Sequence, residues 1–243
     1  SVYKKYAKAQ RYMNVGGDPN MQNPTAFPNQ PLELDGGEWT CSEDGVQQNV
    51  EGMPIIACPH PIMPVERLIN IDTGEEKLKI AFCKGRRWRY AVYGKDVLFV
   101  ANKVTQLSSI GVAVTSENAK ALVKYLCYIE NRNYDILPER NSVGRLGYVG
   151  DDNVFSPYQP DLTFDGESNY SEMYRAIRPQ GSYDVWRETA VRCRQESRTA
   201  QILLAASFAS VLLGHIGALP FFLHLWGVES GTGKTVGLML AAS

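Results

Sequence analysis

Histidine is scarce in this sequence, with His60, His215 and His224 the only three in 243 residues. No Ser/His/Asp or Cys/His arrangement is assembled from rings so scattered. The five cysteines, Cys41, Cys58, Cys83, Cys127 and Cys193, are odd in number, widely spaced and without a Cys-x-x-Cys pair. That pattern argues against a disulfide framework and for reduced thiols in a cytoplasmic protein. Cys41, Cys58 and His60 offer at most three ligands with no paired motif, which is not a zinc site. Neither sign of charge dominates: 25 Lys and Arg stand against 26 Asp and Glu. Any contact with nucleic acid must therefore come from a local patch. The amino terminus, SVYKKYAKAQRYMN, has no apolar signal core. An uninterrupted membrane-length apolar run is also missing. Ala200–Leu213 with Gly214–Leu219 comes nearest, but serines, glutamine, His215 and glycines break it, and a buried helix is expected there. No membrane partner is expected.

What is present falls into three regimes. Residues 1–31 combine a basic, tyrosine-rich head (Lys4, Lys5, Lys8, Arg11) with an Asn-, Pro- and Gly-rich tether. From Leu32 to about Val100 the signals are strands and tight turns. Gly37–Cys41 and Val46–Val50 flank an Asp44-Gly45 turn. A second meander runs from Glu66–Ile71 through Lys77–Cys83, where Leu78, Ile80 and Phe82 share one face, to strands at Arg86–Tyr93 and Asp96–Val100. The prolines at 54, 59, 61 and 64 predict a rigid connecting loop. Thr115–Asn131 reads as an amphipathic helix capped by Ser116, with Ala119, Leu122, Val123, Leu126 and Ile129 at helical spacing. Two short strands are expected around Gly150-Asp151-Asp152 and a surface loop over 158–170. The domain over 32–180 is therefore expected to be α+β, an antiparallel meander plus a helix.

Within it, Lys84-Gly85-Arg86-Arg87-Trp88-Arg89-Tyr90 crowds four cations, Lys84, Arg86, Arg87 and Arg89, onto one hairpin. Forked guanidiniums beside stackable rings suit a nucleic-acid backbone. The same stretch also reads as a solvated outer strand whose charges prevent edge pairing, with Trp88 and Tyr90 turned to the core.

A different regime begins at Gly181. Ser182 and Ser197 are expected to cap two helices, the second strongly apolar, and His215 and His224 lie among apolar neighbours. The apolar run Phe221–Trp226 then leads into a glycine-rich turn and an apolar helix, and the strand–loop–helix order is that of a phosphate-binding loop. Gly231 and Gly233 let backbone N–H groups approach phosphate oxygens. Lys234 supplies charge to the outer phosphates, and the Thr235 hydroxyl suits Mg²⁺. Ser230, Gly231, Thr232, Gly233, Lys234 and Thr235 are the expected nucleotide-binding residues, with Thr235 the metal position. The usual first glycine of the pattern is replaced by Val228, although Gly227 stands one residue earlier.

The GEWTCSEDGVQ hairpin, the CPHPIMPVERLINIDTGEEK stretch and the HLWGVESGTGKTVGLMLAAS ending resemble the DUF927 family of bacterial and phage mobile-element proteins. The resemblance covers most of the chain from Leu32 and implies similarity to AAA+-type replicative helicases. It implies ATP and Mg²⁺ as cofactors, DNA as partner and a homo-oligomer, hexameric in family members. On this reading residues 181–243 are the truncated start of an α/β P-loop NTPase domain. The chain begins without Met and stops eight residues after Thr235, so it is expected to be part of a longer polypeptide. It is also expected to hold no complete catalytic set and not to hydrolyse ATP appreciably alone. Two other functions fit the same residues: a nucleic-acid or protein binding module with a regulatory NTPase, and a P-loop NTPase unconnected with DNA.

Overall fold

The computed structural model describes residues 21–149, 154–166, 168–229 and 231–243. The basic head, the Asp151-Asp152 turn and Ser230 lie outside them. The chain is mixed α+β and divides into two compact units. The described residues up to Gly144, with Asp161–Asp165, make the first, and Arg145–Pro160 with Gly166–Ser243 make the second.

In the first unit, β1 (Thr40–Ser42), β2 (Gly45–Val50) and β3 (Met53–Cys58) form a three-stranded antiparallel sheet. The Asp44-Gly45 turn falls where the sequence puts it. Gly45 has φ +109°, and a Cβ there would sit 2.2 Å from the Cys58 carbonyl oxygen, so only glycine fits. β3 replaces part of the expected proline loop. It is an edge strand, and such a strand tolerates Pro54 because the missing N–H costs no inner ladder bond.

The larger sheet runs in the order β10–β7–β4–β5–β6. Its members are β4 (Ile62–Asn70), β5 (Glu76–Lys84), β6 (Arg87–Gly94), β7 (Glu139–Val143) and β10 (Thr163–Phe164). β4, β5 and β6 are the expected antiparallel meander, whereas β7 and β10 add in parallel and make the sheet mixed. Pro64 sits at an irregularity in the β4–β5 ladder, the other place a strand proline is tolerated. Leu78, Ile80 and Phe82 are buried as their alternation requires. Residues 96–100 are not a strand. They fall in and between two short helices, α1 (Lys95–Leu98) and α2 (Ala101–Val104), which bury Leu98 and Val104.

Helix α3 (Ala119–Arg132) lies against β3 and β4. Ala119, Leu122, Leu126 and Ile129 turn inward together with Tyr125, each large side chain contributing about 2 kcal/mol of burial. Ser116 is not its cap. The helix begins after Asn118, whose amide bridges the Ala57 and Ala113 carbonyls and accepts from the Thr115 N–H. Residues 21–31, expected as tether, pack onto this core through Thr25 and Phe27. The fully buried Asn133 ties Asp35 to α3 through three hydrogen bonds.

Among its described residues the second unit contains the β8 (Gly147–Val149) and β9 (Val154–Ser156) ribbon and four helices. These are α4 (Ser168–Ala176), α5 (Tyr183–Glu196), α6 (Arg198–Leu212) and α7 (Lys234–Ala242). Ser197 caps α6 by accepting the Ala200 N–H at 3.3 Å, while the Ser182 side chain makes no cap bond to α5. α6 packs against both α5 and α7. Gly237 allows the second approach: a Cβ there would lie 2.7 Å from Leu203 Cδ1. The expected strand Phe221–Trp226 has no ladder partner among the described residues and carries no regular secondary structure. A strand exists through its ladder partners. His215 and His224 are exposed, not packed, although the His215 ring lies 5.2 Å from that of Tyr148. Among the described residues no helix is long and apolar enough to cross a membrane.

Candidate functional site

The glycine-rich turn before α7 has the backbone that its residues call for. Gly231 and Gly233 both have φ +80°, a left-handed conformation that costs a side-chain-bearing residue about 1–2 kcal/mol. Gly233 is the N-cap of α7, so the free N–H groups of the first helical turn open onto the loop. Gly227, Val228, Glu229 and residues 231–236 line a depression of about 530 Å³.

Lys234 is the first residue of α7, and its side chain turns back over the loop. Its Nζ donates to the Glu229 carbonyl oxygen at 3.1 Å and to Thr232 Oγ1 at 3.1 Å. No carboxylate pairs with it among the described residues. An ammonium held by neutral oxygens at a helix start exchanges them readily for anionic ones. Thr235 follows in the same turn and also lines the depression.

The structure also bears on the glycine displaced from its usual place. Val228 is 85% exposed. Gly227 is the residue that comes close to the lysine: a Cβ there would lie 3.3 Å from Lys234 Nζ and 3.4 Å from Thr232 Oγ1. The close approach at the start of the turn thus belongs to Gly227. The Glu229 carbonyl had no signal in the sequence, because a main-chain acceptor is independent of side-chain type.

The basic residues lie in the other unit, at the β5–β6 hairpin. Its two-residue turn is Gly85-Arg86, both with positive φ (+63° and +62°). Lys84 faces Arg87 across the last rung and Phe82 faces Arg89, so Lys84, Arg87 and Arg89 share one sheet face. Trp88 and Tyr90 lie on the opposite face. Trp88 is half-buried, its ring 6.1 Å from Phe27 and its N–H donated to the Pro28 carbonyl, whereas Tyr90 is exposed.

The Cys58–His60 neighbourhood is fully committed to structure. His60 Nε2 accepts the Ala113 N–H at 2.9 Å and Nδ1 lies 3.1 Å from the Pro61 carbonyl, which engages both ring nitrogens. Burial pushes the Cys41 thiol up to about 12 and the Cys58 thiol to about 11, so neither is a ready thiolate. Among the described residues no group of three or more His, Cys, Asp or Glu side chains is placed to hold a metal ion.

The family described as domain of unknown function DUF927 matches residues 37–243, most of the chain. No curated protein matches it.

Proposed function

The chain belongs to the DUF927 family, and from that premise we propose that it is the nucleotide-binding part of an ATP-driven DNA motor, a helicase serving the replication or mobility of a mobile element. The observation that carries the reading is Lys234, the first residue of α7, with its ammonium folded over the loop between two left-handed glycines. Glycines at 231 and 233 leave the main-chain N–H groups uncovered for phosphate oxygens. The helix start adds a positive dipole end on the same side. Lys234 exchanges the Glu229 carbonyl and Thr232 hydroxyl for the outer phosphates, and Thr235 offers its hydroxyl to Mg²⁺.

What supports Mg²⁺·ATP as the ligand is the donor set: a helix start and an ammonium held only by neutral oxygens border a depression of about 530 Å³. The bound nucleotide supplies a transferable γ-phosphoryl group. The chain's own part is positioning and charge neutralisation, which dominate phosphoryl transfer. The test is ATP-dependent strand separation by the protein that carries this chain, compared with Lys234→Ala of unchanged fold. Unwinding lost in the variant supports a motor. Unwinding retained in the variant, or nucleotide binding with no DNA-dependent activity, contradicts one.

A further inference from the structure

The β5–β6 hairpin is electrostatically divided along its length. Near its root, each lysine has a carboxylate partner. Lys77 meets Asp165 at 3.5 Å, Lys79 meets Glu66 at 3.0 Å, and Lys95, just past β6, meets Glu76 at 3.0 Å and Glu130 at 2.9 Å. At its tip, Lys84, Arg86, Arg87 and Arg89 are all exposed, and no ion pair neutralises them among the described residues. Lys84 makes one neutral bond, to the Gly111 carbonyl at 3.2 Å. The same two strands thus balance their charges at one end and leave four cations unbalanced at the other.

Arg86 adds a second observation. It adopts φ +62° in the turn, where glycine or asparagine is ordinarily found, so a long cationic side chain is kept against its backbone preference. Left-handed strain at a position with no packing role points to a use in solvent.

We infer that this hairpin tip grips DNA by its phosphodiester backbone, without reading bases. The choice of DNA rests on the motor reading above. Backbone recognition follows from the geometry: the rings available for base stacking are on the wrong face, and the Trp88 N–H is already spent on Pro28. Guanidiniums fork onto phosphate oxygens, and each contact releases counterions. An anionic membrane is disfavoured because Lys84, Gly85, Arg86 and Arg87 bring no apolar side chain to insert.

The experiment measures binding of the 243-residue chain to fluorescent single-stranded and duplex DNA of two unrelated sequences across a salt series, with phosphatidylserine vesicles as a further arm. The wild type is expected to bind both sequences alike. Arg86→Ala/Arg87→Ala/Arg89→Ala is expected to make the plot of log K against log salt shallower by roughly 3 on duplex, about 0.9 per lost phosphate contact, and somewhat less on single strands. Arg86→Gly separates binding from folding, since it removes one contact and relieves the turn. It is expected to weaken DNA binding while keeping Tm within about 2 °C of wild type. Unchanged slopes in the triple variant, discrimination between the sequences, or vesicle binding that equals DNA binding and falls with the same substitutions would each overturn the inference. Mg²⁺·ATP binding is measured on the same wild-type samples, so nucleotide binding without salt-dependent DNA binding is failure of the hairpin alone, and absent nucleotide binding is failure of the motor reading.

Discussion

Lys234 Nζ and the main-chain oxygen of Glu229 are 3.1 Å apart, and that bond spans the loop between Gly227 and α7. It holds the ammonium over the depression although no carboxylate pairs with it among the described residues. The residue beside the lysine is Gly227, where a Cβ would come within 3.3 Å of the ammonium, while Val228 is exposed.

A methyl group at Gly227 crowds the lysine directly. Gly227→Ala is expected to displace Lys234 at a cost of about 1 kcal/mol, roughly a fivefold loss of Mg²⁺·ATP affinity. Val228→Ala is expected to leave affinity unchanged. Titration with a fluorescent ATP analogue checks both, and the opposite ranking would return the close-approach role to position 228.

His60 gives the first unit a pH dependence of known sign. Burial holds its pKa below the usual 6.5, the Lys84 charge adds to the effect, and the hydrogen bond to Pro61 opposes it. The folded chain therefore takes up this proton less readily than the unfolded chain. The stabilisation is complete above pH 6.5 and is lost as pH falls from 6.5 through the folded pKa. Thermal melts from pH 7.5 to 5.0 are expected to show Tm falling in that window for the wild type and a flatter profile for His60→Gln.

Asn133 is fully buried and its side chain makes three hydrogen bonds, two of them to the backbone of Asp35. Asn133→Ala takes the side-chain partner from the half-buried Asp35 N–H and carbonyl and from the buried Ile129 carbonyl. A loss of about 3 kcal/mol is expected on urea denaturation. A loss below about 1 kcal/mol would mean that water replaces the amide.

The sequence signalled elements whose side chains follow a clean period. Leu78, Ile80 and Phe82 fix β5, and the spacing from Ala119 to Ile129 fixes α3. It missed elements whose pattern is set by tertiary neighbours. β7, with sequence ERNSV, is polar but lies between two strands of the larger sheet. Its Glu139 pairs with Arg67 and its Ser142 with Asp165, so charge and hydrogen bonding replace apolar alternation. β3 was hidden by Pro54, which an edge position accommodates. The β8–β9 ribbon groups with the helices of the second unit rather than with the meander, a long-range fact with no local signature. At the candidate site, the glycines and the lysine were legible because backbone conformation and charge demand particular residue types. The arginine cluster was legible as charge and its separation from Trp88 and Tyr90 as strand alternation, but that Phe27 and Pro28 cover Trp88 is a long-range contact that no local pattern encodes.

The most direct test is equilibrium binding of Mg²⁺·ATP to the 243-residue chain, wild type against Lys234→Ala, with thermal melts to establish equal folding. Loss of a charge-assisted contact to phosphate is worth about 1.5–3 kcal/mol. Saturable binding by the wild type, weakened roughly tenfold to a hundredfold in Lys234→Ala, is the result expected. Equal affinities for the two proteins would contradict the account.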